Sequence, residues 1–230
     1  MKKTMSKTAV LTVALILATT AIAFAQQYAP EGDFTIAPTP YGNGVAILGY
    51  NGRGGAVSIP PTIGGQPVVE IARGFVGNTT ITSLTIPNSV TLISPVFKNM
   101  TRLTTITLGT GITVIPAEAF SGCTTLTSVT IGSGVTSIDT GAFTGCTALR
   151  SITIPASVTS IGNGAFENCS SLATVTILRQ STGTSFTGTT IGRYGSFNGT
   201  SSNLVIRVPT NSLNAYKTAE YWSVLASRIQ

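Results

Sequence analysis

The 230-residue sequence contains no histidine. That removes the Ser–His and Cys–His pairs used in nucleophilic hydrolysis, and the commonest metal ligand with them. Charge is scarce: Asp, Glu, Lys and Arg are 9% of the residues, against about a quarter in ordinary soluble domains. Glu118, Asp139 and Glu167 stand at different offsets in the repeats described below, and Glu31, Asp33, Glu70 and Glu220 are dispersed, so no two acids are paired for acid–base chemistry. The glycines of Gly52–Gly55 lack the Lys and following helix of a phosphate loop. Basic residues form no dense run, whereas a nucleic-acid face requires a clustered stripe. These absences imply no enzyme, no cofactor, no metal and no nucleic-acid partner.

Long apolar runs are also missing, except at the start. Lys2, Lys3 and Lys7 precede the apolar run Ala9–Ala23, and Ala23-Phe24-Ala25 is a small-x-small cleavage site. Residues 1–25 therefore read as a secretory signal, with the mature chain beginning at Gln26 and secreted or held at the cell surface or in a periplasm. The run is short for a spanning helix, so no membrane span is expected after cleavage. No cysteine follows the cleavage site, which speaks against a bacterial lipid anchor, and no wall-sorting signal follows Trp222. Three of the thirteen basic residues lie in the signal, leaving ten against seven acids, a net charge of +3. The surface must then be built from Thr, Ser, Gly and Asn, which hydrogen-bond but exert little long-range pull.

What the sequence does have is a period. Leu103-Thr-Thr-Ile-Thr-Leu108 leads through Ile112 and Ile115 to Phe120 and Cys123; the same markers return at Leu126–Cys146 and Leu149–Cys169, each 23 residues on. The Phe position is filled by Phe75, Phe97, Phe120, Phe143, Phe166 and Phe197, the last step widened to 31 residues by an insertion at 179–194. A fixed period of this length is the mark of a solenoid, here of about six coils. Within a coil, Ser128–Ile131 and Val135–Ile138 alternate apolar and polar residues as short strands, turned by Gly132 and Gly134 or by Pro87 and Pro155, and the third side around Ala142-Phe143 reads as a helical turn or arc.

The ends read as caps. Asp33–Ile36 and Val45–Leu48 form a hairpin in an N-terminal cap, 26–56, covering strand edges that would otherwise invite aggregation. The solenoid runs over 57–209. Leu204–Val208 is a last strand stopped by Pro209, and Thr210 or Asn211 caps a helix in 210–230 that runs through Ala215, Tyr216, Ala219, Trp222, Leu225 and Ile229 at helical spacing.

The pattern Leu-x-x-Val/Ile-x-Ile-Pro/Gly-x-x-Val-Thr-x-Ile-x-x-x-Ala-Phe-x-x-Cys, strongest over Leu126–Cys169, resembles the BspA-like, or Treponema pallidum-type, leucine-rich repeat. The ending Val208–Lys217 with Trp222-Ser223 resembles the terminal helix of such arrays. The early repeats depart from the pattern: Val96 stands for Ala, and Asn78 and Met100 stand for Cys. The resemblance implies a right-handed, β-rich leucine-rich-repeat solenoid. It further implies an exported or surface protein of a bacterium or parasite, associated with adhesion to host matrix proteins or other cells, and it carries no catalytic residues.

In leucine-rich repeats the first strand lines the concave face. Its outward residues here are Ser83 and Thr85, Thr105 and Thr107, Ser128 and Thr130, Ser151 and Thr153, Thr174 and Thr176. From Thr105 onward these are the candidate partner-binding residues, a flat hydroxyl-rich patch for host matrix or cell-surface proteins. Against that stands the plain fact that Thr is a soluble β residue; the same Ser/Thr-x-Thr array also resembles ice-binding solenoids. Cys123, Cys146 and Cys169 share one repeat position, which also accepts Met100, Asn78 and Thr200, and they read as buried free thiols in a small core slot. Asn78, Asn99, Asn168 and Asn198 match the glycosylation pattern, as a Thr-rich chain does by chance. The expected function is a protein-interaction or adhesion module; a structural or self-assembling surface component is the alternative.

Overall fold

A computed structural model describes residues 28–181, 187–193 and 195–230. The expected signal, 1–25, lies outside the described residues, as do 182–186 and 194 of the insertion. In chain order the strands are β1 (Phe34–Pro38), β2 (Val45–Tyr50), β3 (Gly55–Ser58), β4 (Thr62–Ile63), β5 (Gln66–Ile71), β6 (Ile81–Thr85), β7 (Leu92–Ile93), β8 (Thr105–Thr107), β9 (Val114–Ile115), β10 (Ser128–Thr130), β11 (Ser137–Ile138), β12 (Ser151–Ile154), β13 (Ser160–Ile161), β14 (Thr174–Ile177), β15 (Thr190–Ile191) and β16 (Val205–Arg207). One α-helix, α1 (Leu213–Thr218), follows.

The coils stack in register, each a solenoid turn with two short strands and a turn-rich third side. Parallel strands β3-β6-β8-β10 and β12-β14-β16 form the first side, and β9-β11-β13-β15 continue the second from β2-β5-β7. The hairpin sits where the sequence places it: β1 pairs antiparallel with β2 from Phe34↔Tyr50 to Pro38↔Val45, and β2 then pairs in parallel with β5. The hairpin thus caps the array by supplying its first second-side rung.

Alternation sends one residue set inward. Ile106, Ile138, Leu149 and Val158 are essentially inaccessible, as are the Ala-Phe-x-x-Cys residues of the third side, while Val129, the equivalent of Ile106 in the next coil, is half-buried. The phenylalanines stack coil on coil: ring centroids are 5.3 Å apart for Phe97–Phe120, 5.2 Å for Phe120–Phe143, 5.4 Å for Phe143–Phe166 and 5.4 Å for Phe166–Phe197, with planes within 11° of parallel. Tyr50 and Phe34 extend the stack at one end, and Trp222 and Tyr216 at the other. Two residues after each Phe the chain turns through the left-handed region, at Gly77, Asn99, Gly122, Gly145, Asn168 and Gly199. That row explains why the repeat tolerates only Gly or Asn before the Cys slot.

Outside the strand ladders, backbone hydrogen bonds run in opposite directions on the second and third sides. On the second side a later coil donates to an earlier one, as in Thr136 N–H to the Thr113 carbonyl (2.8 Å) and Gly162 N–H to that of Ile138 (2.7 Å). On the third side an earlier coil donates to a later one, as in Phe120 N–H to Ala142 (2.8 Å) and Gly145 N–H to Glu167 (2.8 Å).

The C-terminal segment closes the last coil, but not as the single helix that its apolar spacing suggests. Residues Thr210–Ser212 are a 3-10 turn, α1 ends at Thr218 with Ala219 extended, and Ser223–Arg228 is a second 3-10 turn. Tyr221 between them has φ +62°, which no helix accommodates. Neither Thr210 nor Asn211 caps α1. Its N-cap is Ser212, and that hydroxyl accepts the Ser181 N–H (2.8 Å) instead of capping. Packing decides the shape. The Tyr216 hydroxyl donates to the Arg179 carbonyl (2.8 Å) and accepts the Thr189 N–H (2.9 Å), while Trp222 Nε1–H donates to the Thr189 carbonyl (2.6 Å). These bonds fasten the cap to both roots of the insertion. Gln230 N–H then bonds the Ile206 carbonyl (2.8 Å), adding a rung beside β16.

Removing one ring from the stack, Phe143→Ala, is expected to cost about 3–5 kcal/mol in denaturant unfolding, as for other fully buried aromatics. Gly145→Ala is expected to cost about 1–2 kcal/mol, because φ is +73° while a Cβ there would meet only Gly122 atoms at 3.9 Å. Gly145→Asn, the residue present at positions 99 and 168, should cost less.

Candidate functional site

Threonine in this fold does two jobs. The hydroxyls of Thr104 and Thr127 donate to the carbonyls of Thr82 (2.8 Å) and Thr104 (3.0 Å), one coil upstream. Those of Thr136, Thr159 and Thr190 do the same to Thr113 (3.0 Å), Thr136 (3.1 Å) and Thr159 (3.1 Å). The outward set differs. No hydrogen bond joins the hydroxyls of Thr105, Thr107, Ser128, Thr130, Ser151, Thr153, Thr174 or Thr176 to any other described residue. Ser128, Thr130, Ser151 and Thr153 are exposed, and the other four are half-buried. The sequence did not separate these two classes; the signal was available only in the offset within the coil, one residue apart.

The outward set forms two pieces rather than one unbroken ladder. Ser83, Thr105 and Ser128 stand opposite one another, as do Thr85, Thr107 and Thr130. Ser151 pairs with Thr174, which pairs with Val205 on its other side, and Thr153 pairs with Thr176, which pairs with Arg207. Strand pairing is interrupted between β10 and β12. At the interruption Arg150 stands in the place of Thr127 and Pro155 in that of Gly132. Neither change breaks a ladder by itself, because Ala173 also lacks the hydroxyl and Pro87 holds the same corner in coils that stay paired. Ser128, Thr130, Ser151 and Thr153 flank this seam.

The three thiols are free and fully buried. Each donates to the carbonyl of a Phe in the preceding coil: Cys123 to Phe97 (3.0 Å), Cys146 to Phe120 (3.2 Å) and Cys169 to Phe143 (3.1 Å). Burial pushes the Cys123 thiol up to about 11. The neighbouring Cys169 thiol, and then burial, push Cys146 up as well. Among the described residues no three His, Cys, Asp or Glu side chains converge as a metal site. Glu118 and Glu167 line one shallow depression on the third side, but Glu118 is engaged by Lys98 (2.6 Å) on the surface.

The sequence matches a family model described as the BspA type leucine-rich repeat region, in six copies over residues 69–191. None of the curated proteins matches it. Among solved structures it is similar to a T. pallidum leucine-rich repeat protein, 27% identical with a TM-score of 0.68, over 84% of this chain and 96% of that one. It is also similar to a leucine-rich cell surface protein of Faecalibacterium prausnitzii (30% identity, TM-score 0.60, 80% of this chain) and to a leucine-rich repeat protein of Bacteroides ovatus (27%, 0.59, 80%). The chain spans 54% and 43% of those two proteins, respectively.

The buried thiols give a pH signature. The folded chain holds the Cys123 proton up to about pH 11, whereas the unfolded chain releases it near 9. Stability from this group is full below pH 9 and is lost as pH rises toward 11, by about 2–3 kcal/mol. Cys123→Ala should lessen the slope of that stretch of the stability–pH curve, the remainder coming from Cys146, and a thiol reagent at pH 8 should label no cysteine in the native protein and three after unfolding. With the repeat found six times across more than half its length, and its coils stacked as described, the chain belongs to the BspA-type leucine-rich repeat family.

Proposed function

We propose that the protein is an exported protein-interaction module that adheres to host matrix or cell-surface proteins through the outward face of its first sheet. One observation carries this reading: eight hydroxyls on that face have no partner among the described residues, while the threonines beside them are consumed by coil-to-coil bonds. Unpartnered hydroxyls on a regular, nearly uncharged surface suit a partner that docks through many modest hydrogen bonds, each worth about 0.5–1.5 kcal/mol net. Export is supported by the basic and apolar character of residues 1–25 and by the cell-surface description of the F. prausnitzii relative. No helix among the described residues is long and apolar enough to cross a membrane.

The test is binding of the purified protein to a panel of immobilised matrix and cell-surface proteins, with a Thr130→Lys/Thr153→Lys variant alongside. Both side chains are exposed, so stability should change by no more than about 0.5 kcal/mol per site. Binding should fall at least about tenfold, because two large cations displace the hydroxyl contacts. Undiminished binding by the folded variant would sink the assignment of this face. Failure to bind any panel member, with a mass in solution that rises with concentration, would favour a self-assembling surface component.

A further inference from the structure

The C-terminal cap forms a half-open pocket of about 270 Å³ against the third side of the last coil, between residues 195–200 and 221–228. It lies apart from the outward face of the first sheet. One wall is apolar, with Phe197 from the ring stack and Leu225 and Val224 from the cap. Val224 is 81% exposed at its edge. Arg193 and Arg228 both line it, and no Asp or Glu does among the described residues. The Arg228 side chain is only partly exposed, yet no hydrogen bond or ion pair joins its guanidinium to another described residue. A guanidinium offers five donors in a planar fork that fits a carboxylate, and this one stands half-exposed beside apolar surface. Tyr221, at the turn between α1 and the last 3-10 turn, also lines the pocket.

We propose that this pocket binds an apolar carboxylate, with a residue-sized apolar group against Phe197, Leu225 and Val224 and the carboxylate held by Arg228. The volume selects the size. Ligand sites generally span about 300–1,000 Å³, so this one accommodates a single apolar residue rather than a long chain. The absence of acidic lining selects the charge. The same chemistry is presented by a free N-acylated amino acid and by the C-terminal residue of a peptide, and the two are separable by experiment.

Calorimetric titration of the purified protein with N-acetyl-leucine and N-acetyl-phenylalanine, each against its amide, tests the proposal. A peptide of about ten residues ending in Leu, with a free or amidated C-terminus, distinguishes the two sources. The acids should bind at least about tenfold more tightly than the amides, as a charge-assisted pair to arginine requires. Arg228→Gln should erase that preference while leaving the melting temperature in place. If Arg228→Gln lowers the melting temperature, Val224→Glu at the exposed rim must weaken acid binding by a similar factor. Equal affinity for acid and amide, no binding of any acid, a preference retained in folded Arg228→Gln, or acid binding untouched by Val224→Glu would each overturn it.

Discussion

The carbonyl oxygen of Thr136 accepts two hydrogen bonds from one residue of the next coil, the N–H of Thr159 at 2.7 Å and its hydroxyl at 3.1 Å. Thr136 itself makes the same pair of bonds to Thr113, and Thr190 makes it to Thr159. A carbonyl has two lone pairs, and this arrangement fills both from a single side chain and its own backbone. Each coil is thereby held at one strand spacing from its neighbours, near 4.8 Å. The rest of the molecule depends on that distance. Only at such a spacing do the phenylalanines stack with parallel planes, and only then can a buried thiol reach the carbonyl one coil back.

The consequence is a core that is continuous along the array yet cannot be closed by any coil alone. Its two ends are solved differently. At the start, β2 supplies a rung and Tyr50 covers Phe75. At the finish, Trp222 covers Phe197, and its ring N–H is spent on the backbone of Thr189. Aromatic side chains suit both roles because they offer a large apolar face and one polar atom that can be fixed in place.

The architecture was legible because it is written in a period. The Phe and Cys positions fixed the coil boundaries, and the alternation in Ser128–Thr130 gave the correct facing of the strands. What was not legible depends on relations between coils. Thr104 and Thr105 are the same letter, but one hydroxyl bonds the coil before it and the other bonds no described residue. The seam between β10 and β12 is a relation between two coils whose strand residues read alike, and no local pattern records it. The break in the terminal helix was hidden because Ala215, Ala219, Trp222 and Ile229 keep helical spacing, and no Pro or Gly marks the interruption. The pocket beside Arg228 is assembled from separate segments, each unremarkable by itself.

The opposed hydrogen-bond directions on the second and third sides have an electrical consequence. In an α-helix the peptide dipoles add, giving about half a charge at each end. Here Thr136 and Gly162 donate backward along the stack while Phe120 and Gly145 donate forward, so their dipoles offset one another. Lengthening such an array by further coils builds up no charged head or tail. A partner approaching it meets little field to steer by and must find its match by contact.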